Sequence, residues 1–267
     1  MTASPTVADT IGTDAVYVYC VAHSRAHWLL GPIGLDRNMV YTVPHEGLCC
    51  VVHSCKAKPY QSDDPQAVEG WVVAHQRVVK TAMEAFDAAL PMAFNMIVHD
   101  GPNGSAIHSL KGWLAEKRDD FSARLEELAG KAEYGVQVFW DRQAVIEALT
   151  ERQPELRDLR DEARAKPKGQ AYMLRQRLAK AARAAIESQA NQYVEAFYSQ
   201  IGQCVAKARV ERLKRVNSGK QMLLNLSCLM KKDNTALGRA LEKIREIDGI
   251  SVRFTGPWPP YSFVSAA

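Results

Sequence analysis

Between Asp141 and Lys207 almost every residue is a strong helix former, and only Pro154 and the "KPKG" break at 166–169 interrupt the run. A chain carrying such a block must fold around a long helical excursion, whatever flanks it. Along the second piece Leu174, Leu178, Ile186, Tyr193, Phe197 and Ile201 lie in a wide apolar stripe, with Arg and Lys opposite. The stripe is too wide for a strict coiled-coil seam. It predicts a coiled-coil-like helical hairpin over 141–207, packing on itself or on a neighbour.

The flanks read differently. "AVYVYCVA" (15–22) and "EGLCCVVHSC" (46–55) are rich in β-branched and small apolar residues and predict strands, with a short strand at "NMVYTV" between them. "DDPQAVEGWVVAHQRVVKTAMEAFDAAL" (63–90) opens with Asp64 as N-cap and Pro65 at the first helical position, then repeats apolar residues at helical spacing. "MAFNMIVH" (92–99) reads as a strand, 105–129 as a second helix closed by Gly130, and "AEYGVQVFW" (132–140) as another strand. After the helical block, two strand-like runs around "NSGK" form a hairpin. A short helix capped by Asp233 or Asn234 follows, and "ISVRFT" is a last strand.

These elements predict an α+β protein of two domains with antiparallel sheets, the second in the split βαβ, ferredoxin-like order. The expected layout is a flexible lead over 1–14, a first domain over 15–130 and a second over 131–264. The second domain includes the hairpin and the closing tail, 255–264.

A composition of 47% hydrophobic and 24% charged residues is that of an ordinary soluble protein, and a net charge of +4 demands neither nucleic acid nor an anionic membrane. The opening residues show no basic segment followed by an apolar one, so no signal peptide is expected, and no apolar run approaches the ~20 residues that cross a bilayer. Adjacent Cys49 and Cys50 make a poor disulfide framework, which points to free thiols in the cytoplasm.

Chemistry is sparse. His45, Cys49, Cys50, His53 and Cys55 cluster, but on a strand Cys49 and His53 stand roughly 13 Å apart, too far to share one zinc unaided. Buried strand cysteines explain them without a metal. Cys20 with His23 or His27 supports an alternative reading, a cytoplasmic enzyme built on the Cys/His-rich first half. A weaker alternative is nucleic-acid binding through the basic "KARVERLKR" (207–215). There, charges on both strand faces read rather as an exposed edge that resists sheet-to-sheet pairing. No catalytic, cofactor-binding or metal-binding residue is assigned.

The tail "TGPWPPYSFV" (255–264) holds three prolines in four positions, which excludes a helix and the middle of a sheet. It formally satisfies P-x-x-P, a displayed ligand. Trp258, Tyr261 and Phe263 directly after a strand read better as anchors of a strap, stiffened by Pro257, Pro259 and Pro260 after Gly256 and lying across a sheet or between the halves. On that reading Trp258 sits in a buried site.

The same tail resembles the closing signature of the gas vesicle protein F/L family (GvpF/GvpL). "YVYCVA" is similar to its "YVYGVV", with Cys20 for glycine. "AHQRVV" is similar to "A-x-H-E-x-V", with Gln76 for glutamate. "LPMAFNMIV" is similar to "LPxRFGTV", with Ala93 and Asn95 for arginine and glycine. "LAGKAEYGVQV" and "KGQAYMLRQR" are similar to "L-x-G-K-x-E-x-G-V-K-V" and "G-x-A-Y-L-x-x-R". The resemblance implies a cytoplasmic, gas vesicle-associated accessory or minor structural protein with no catalytic residues and no nucleic-acid or membrane partner. It would bind the hydrophobic main shell protein, gas vesicle protein A, with other accessory proteins as further partners, and help nucleate or build the shell. The helical face from Leu174 to Ile201 is the candidate surface for that partner.

Overall fold

The computed structural model describes residues 14–264, apart from Arg25, Asn103, Asn217, Ser218 and Asn234. The expected lead, 1–14, lies outside the described residues but for Asp14. Two compact units divide the chain: one holds residues up to Glu133 together with those from Trp258 onward, the other runs Tyr134–Pro257. The expected boundary lies after Gly130, with the tail in the second domain. Here the division falls inside a strand, and the residues from Trp258 onward group with the first unit.

In the first unit the aromatic, β-branched run becomes the central strand β1 (Ala15–His23). Around it stand β2 (Leu29–Gly31), β3 (Val40–His45) and β4 (Leu48–Cys55), and after helix α1 (Pro65–Phe86) come β5 (Leu90–Pro91) and β6 (Ile97–His99). The sheet order is β2-β3-β4-β1-β5, with β6 also paired to β1. Glu46 and Gly47 join β3 to β4, both with positive φ (48° and 91°), as a tight two-residue hairpin turn requires. Asp64 caps α1 through Gln66 N–H, with Pro65 behind it.

Eight successive residues of β1 are buried, so both faces of the sheet are covered there. His75 places α1 over the face carrying Tyr17. The other face is closed by α2 (Ala106–Glu116) and α3 (Arg118–Leu128), which pack on β1 and its neighbours through Leu110, Leu114, Phe121 and Leu125. The single helix expected over 105–129 is thus two, broken at Lys117.

The single strand expected over 92–99 is also interrupted. Asn95 has φ 67°, the left-handed region where glycine and then asparagine are tolerated, and β5 and β6 flank that turn.

The second unit is built on β7 (Lys131–Asp141), whose residues alternate between buried and half-buried, as a strand with one covered face must. Then come α4 (Arg142–Arg152), α5 (Pro154–Ala165), α6 (Lys168–Gly202), β8 (Lys207–Val210), β9 (Lys220–Lys231), α7 (Thr235–Arg245) and β10 (Ile250–Trp258). The strand order β10-β7-β9-β8 is the split βαβ, ferredoxin-like order. The helical block is three helices rather than a simple hairpin, because Pro154 and Pro167 each restart a helix. Stacked Tyr134 and Phe254 (centroids 5.3 Å, 4° between planes) sit beside Gly135, whose place a Cβ could not take without meeting Thr255 Oγ1 at 2.6 Å.

Candidate functional site

A bulge at Tyr19 shapes the centre of the first unit. Tyr17 pairs with His53 and Val18 with Val52, but Val51 faces Cys20, so Tyr19 is the extra residue. Paired residues share a face, so the bulge turns Cys20 onto the side of Tyr17 and His53, which plain alternation would deny it.

On that side lies a buried Tyr–His network. Tyr17 Oη accepts from Asn95 N–H (3.1 Å) and lies 2.8 Å from His75 Nδ1. Tyr19 Oη accepts from Leu35 N–H (2.9 Å) and lies 2.8 Å from His53 Nδ1. Each phenol, having taken a backbone N–H, gives its proton to a histidine Nδ1, which fixes both rings as neutral Nε2–H tautomers. His53 Nε2 then donates to Tyr60 Oη (2.9 Å). His75 Nε2 is buried and has no hydrogen-bond partner among the described residues.

Burial pulls both histidines down to about 4, against an ordinary 6.5; Asp36 opposes the shift at His53 and the Met92 carbonyl at His75. The phenols are pushed up, Tyr60 to about 12, chiefly by burial. The network is a buried polar core whose histidines are held neutral at pH 7.

The tail closes over this core. Pro259 and Pro260 are buried, and a 3-10 turn over Tyr261–Phe263 follows. The Glu133 carboxylate accepts from both Ser262 N–H (2.8 Å) and Ser262 Oγ–H (2.7 Å), while the Tyr261 ring lies 6.3 Å from that of His75. Burial raises the Tyr261 hydroxyl, with Cys20 and Tyr17 adding to the shift.

The anchor expected for the strap is not buried. Trp258 is 49% exposed, Tyr261 37%, and Phe263 half-buried, while Gly256 and Pro257 lie at the surface. The two prolines and Ser262 do the holding. Residues from five of the six motifs that resemble the family's lie in this unit: Tyr17, His75, Asn95, Glu133 and Tyr261. Asn95 takes a left-handed position, and its amide bonds the Tyr60 backbone at both ends, Oδ1 from N–H (2.9 Å) and Nδ2 to the carbonyl (3.1 Å).

The candidate partner face on α6 is largely used within its own unit. Ile186, Phe197 and Ile201 are buried and Leu174, Leu178 and Tyr193 half-buried, as α6 packs against α4, α5, α7 and β9. The accessible apolar residues on this helix are others, Tyr172 (60%) and Met173 (64%) at its start and Tyr198 (42%) further along.

The Cys/His-rich half offers little nucleophilic chemistry. Cys20, Cys49, Cys50 and Cys55 are buried, and burial pushes Cys49 up to about 12 and Cys55 to about 11. His23 and His27 lie at the surface, away from the buried Cys20. Among the described residues no group of three or more His, Cys, Asp or Glu is placed to hold a metal, and no helix is long and apolar enough to cross a membrane.

The family profile described as "Gas vesicle synthesis protein GvpL/GvpF" matches residues 15–265. The chain belongs to the GvpL/GvpF family. Gas vesicle protein L1 of Halobacterium salinarum is 33% identical to this family member over 256 residues, 92% of this chain and 89% of its own. Gas vesicle protein F of a Streptomyces species is 29% identical over 94% of this chain and 99% of its own. The crystal structure of GvpF from Anabaena sp. PCC7120 shares the fold, with a TM-score of 0.71 at 19% identity, covering 96% of this chain and all of that one. Membership of GvpL/GvpF gives the chain a gas vesicle role.

Proposed function

We propose that this GvpL/GvpF protein is a cytoplasmic accessory or minor structural component that binds the hydrophobic main shell protein, gas vesicle protein A, and helps nucleate or build the shell. The observation that carries the reading is the family match over residues 15–265, which takes in all of the second unit and most of the first. A shell subunit that keeps water from a gas space exposes apolar surface before assembly and needs it covered.

The start of α6 supports this role: Tyr172 and Met173 are exposed beside half-buried Leu174 and Leu178. An amphipathic helical face of this kind receives an apolar partner at low reorganisation cost. The buried Ile186, Phe197 and Ile201 are not part of the surface; they hold α6 to its unit.

Co-purification of tagged shell protein with this chain tests the reading. Wild type is expected to retain the shell protein, and Tyr172→Asp with Met173→Asp to release it while the melting curve stays unchanged. Absence of any retention by the wild type refutes the shell-protein reading. Retention unaffected by the double substitution refutes the α6 surface.

A further inference from the structure

The second unit leaves one sheet edge open in a particular way. β8 is the outermost strand, and it pairs with β9 only from Lys207 opposite Leu229 to Val210 opposite Leu226. β9 continues back to Lys220, but the chain beside it, residues 211–216, forms no ladder. It is held by single bonds: Glu211 N–H to the Asn225 carbonyl and Asn225 Nδ2 to the Arg212 carbonyl (both 2.8 Å), and Lys214 N–H to Met222 Sδ (3.3 Å). The outer backbone of β8 has no strand neighbour among the described residues.

Side chains on this edge combine two features. Val210 and Leu213 are more than half exposed. Residues 207–216 also carry Lys207, Arg209, Arg212, Lys214 and Arg215 against Glu211 alone, a net charge of +4 that equals that of the whole chain. Positive charge on an edge strand turns away another copy of the same edge and any basic strand. It does the opposite for an extended segment whose own side chains alternate acidic and apolar, because strand addition brings their charges into register with the Arg and Lys.

We infer that the edge formed by β8 and residues 211–216 is a docking site for an acidic, extended polypeptide segment that adds to the sheet as a further strand. The main-chain pairing supplies affinity, Arg212 and Lys214 select the acidic side chains on one face, and Leu213 receives the apolar ones on the other. This inference is independent of the shell-protein reading, which rests on the family match.

Fluorescence anisotropy of the full chain with a labelled peptide of alternating Glu and Val tests it, at low and at physiological salt. The expected result is saturable binding, weakened by at least about ten-fold in Arg212→Glu/Lys214→Glu and by salt. A peptide of the same sequence N-methylated at alternate residues, which cannot pair as a strand, is expected to bind wild type at least about ten-fold more weakly. That comparison does not depend on the variant folding. Failure of the acidic peptide to bind overturns the proposal, as does equal binding of the N-methylated peptide. Tighter binding of a single-stranded oligonucleotide of matched charge overturns it in favour of a nucleic-acid site.

Discussion

Lowering the pH from 7 to 5 should unfold the first unit far more readily than its surface charges alone would allow. His53 and His75 are buried and neutral, with folded values of about 4 against 6.5 in the unfolded chain. Between those two values the unfolded chain binds more protons than the folded one, so stability falls as the pH drops. The contribution is fully present above about 6.5 and is lost progressively on the way down to about 4. At pH 5 each histidine costs about 2 kcal/mol relative to pH 7, about 4 kcal/mol for the pair. That is a large share of the ~5–15 kcal/mol that holds a typical domain together.

Urea unfolding followed by tryptophan fluorescence reads the effect, because Trp71 lies 5.4 Å from Tyr60 at the rim of the network. His53→Gln/His75→Gln keeps an acceptor for each phenol and removes the titrating groups, so it should flatten the pH dependence. A wild-type loss below about 1 kcal/mol over this interval, or the same slope in the double variant, would refute the assignment of two neutral buried imidazoles.

Tyr17→Phe strands the Asn95 N–H and the His75 Nδ1 together, and is expected to cost about 2–4 kcal/mol in chemical denaturation, as for two orphaned buried polar groups. Trp258→Ala should cost only about 1 kcal/mol, because the ring is half exposed. Glu133→Ala should cost about 2 kcal/mol and speed amide exchange at Ser262, since it removes both carboxylate bonds that hold the strap. Gly34→Ala places a Cβ 2.7 Å from Tyr19 Oη and 2.9 Å from the Asn38 carbonyl, and overpacking there should lower stability by about 1–3 kcal/mol.

Most elements were legible because their signals are local. Asp64–Pro65 marks a helix start, the β-branched run at 15–22 marks a strand, and Pro154 marks a restart. Interruptions were harder. The turn between β5 and β6 depends on Asn95 adopting a left-handed conformation that its own hydrogen bonds support, and no local pattern separates that from a continuous strand. The break at Lys117 carries neither proline nor glycine. The strap's character could be read from its prolines, but its anchors could not: Glu133 lies 129 residues before Ser262 in sequence, and pairing at that distance leaves no periodic trace. Reading Trp258 as the anchor followed residue size, whereas burial follows position, and it is Pro259 and Pro260 that are buried while Ser262 bonds Glu133. The Tyr–His network stayed hidden because its bonds join Tyr19 to His53 and Tyr17 to His75 across 34 and 58 residues, which leaves no local pattern.

The first unit contains residues made both before and after the whole of the second. Its strap emerges from the ribosome only after the whole stretch from Tyr134 to Pro257 has been synthesised. At typical elongation rates of ~5–20 residues per second that interval is roughly ten seconds, during which the unit waits without its closing turn. A nascent chain stalled or truncated before Ser262 therefore leaves Glu133 without the bonds that seal the unit, however completely the rest has folded.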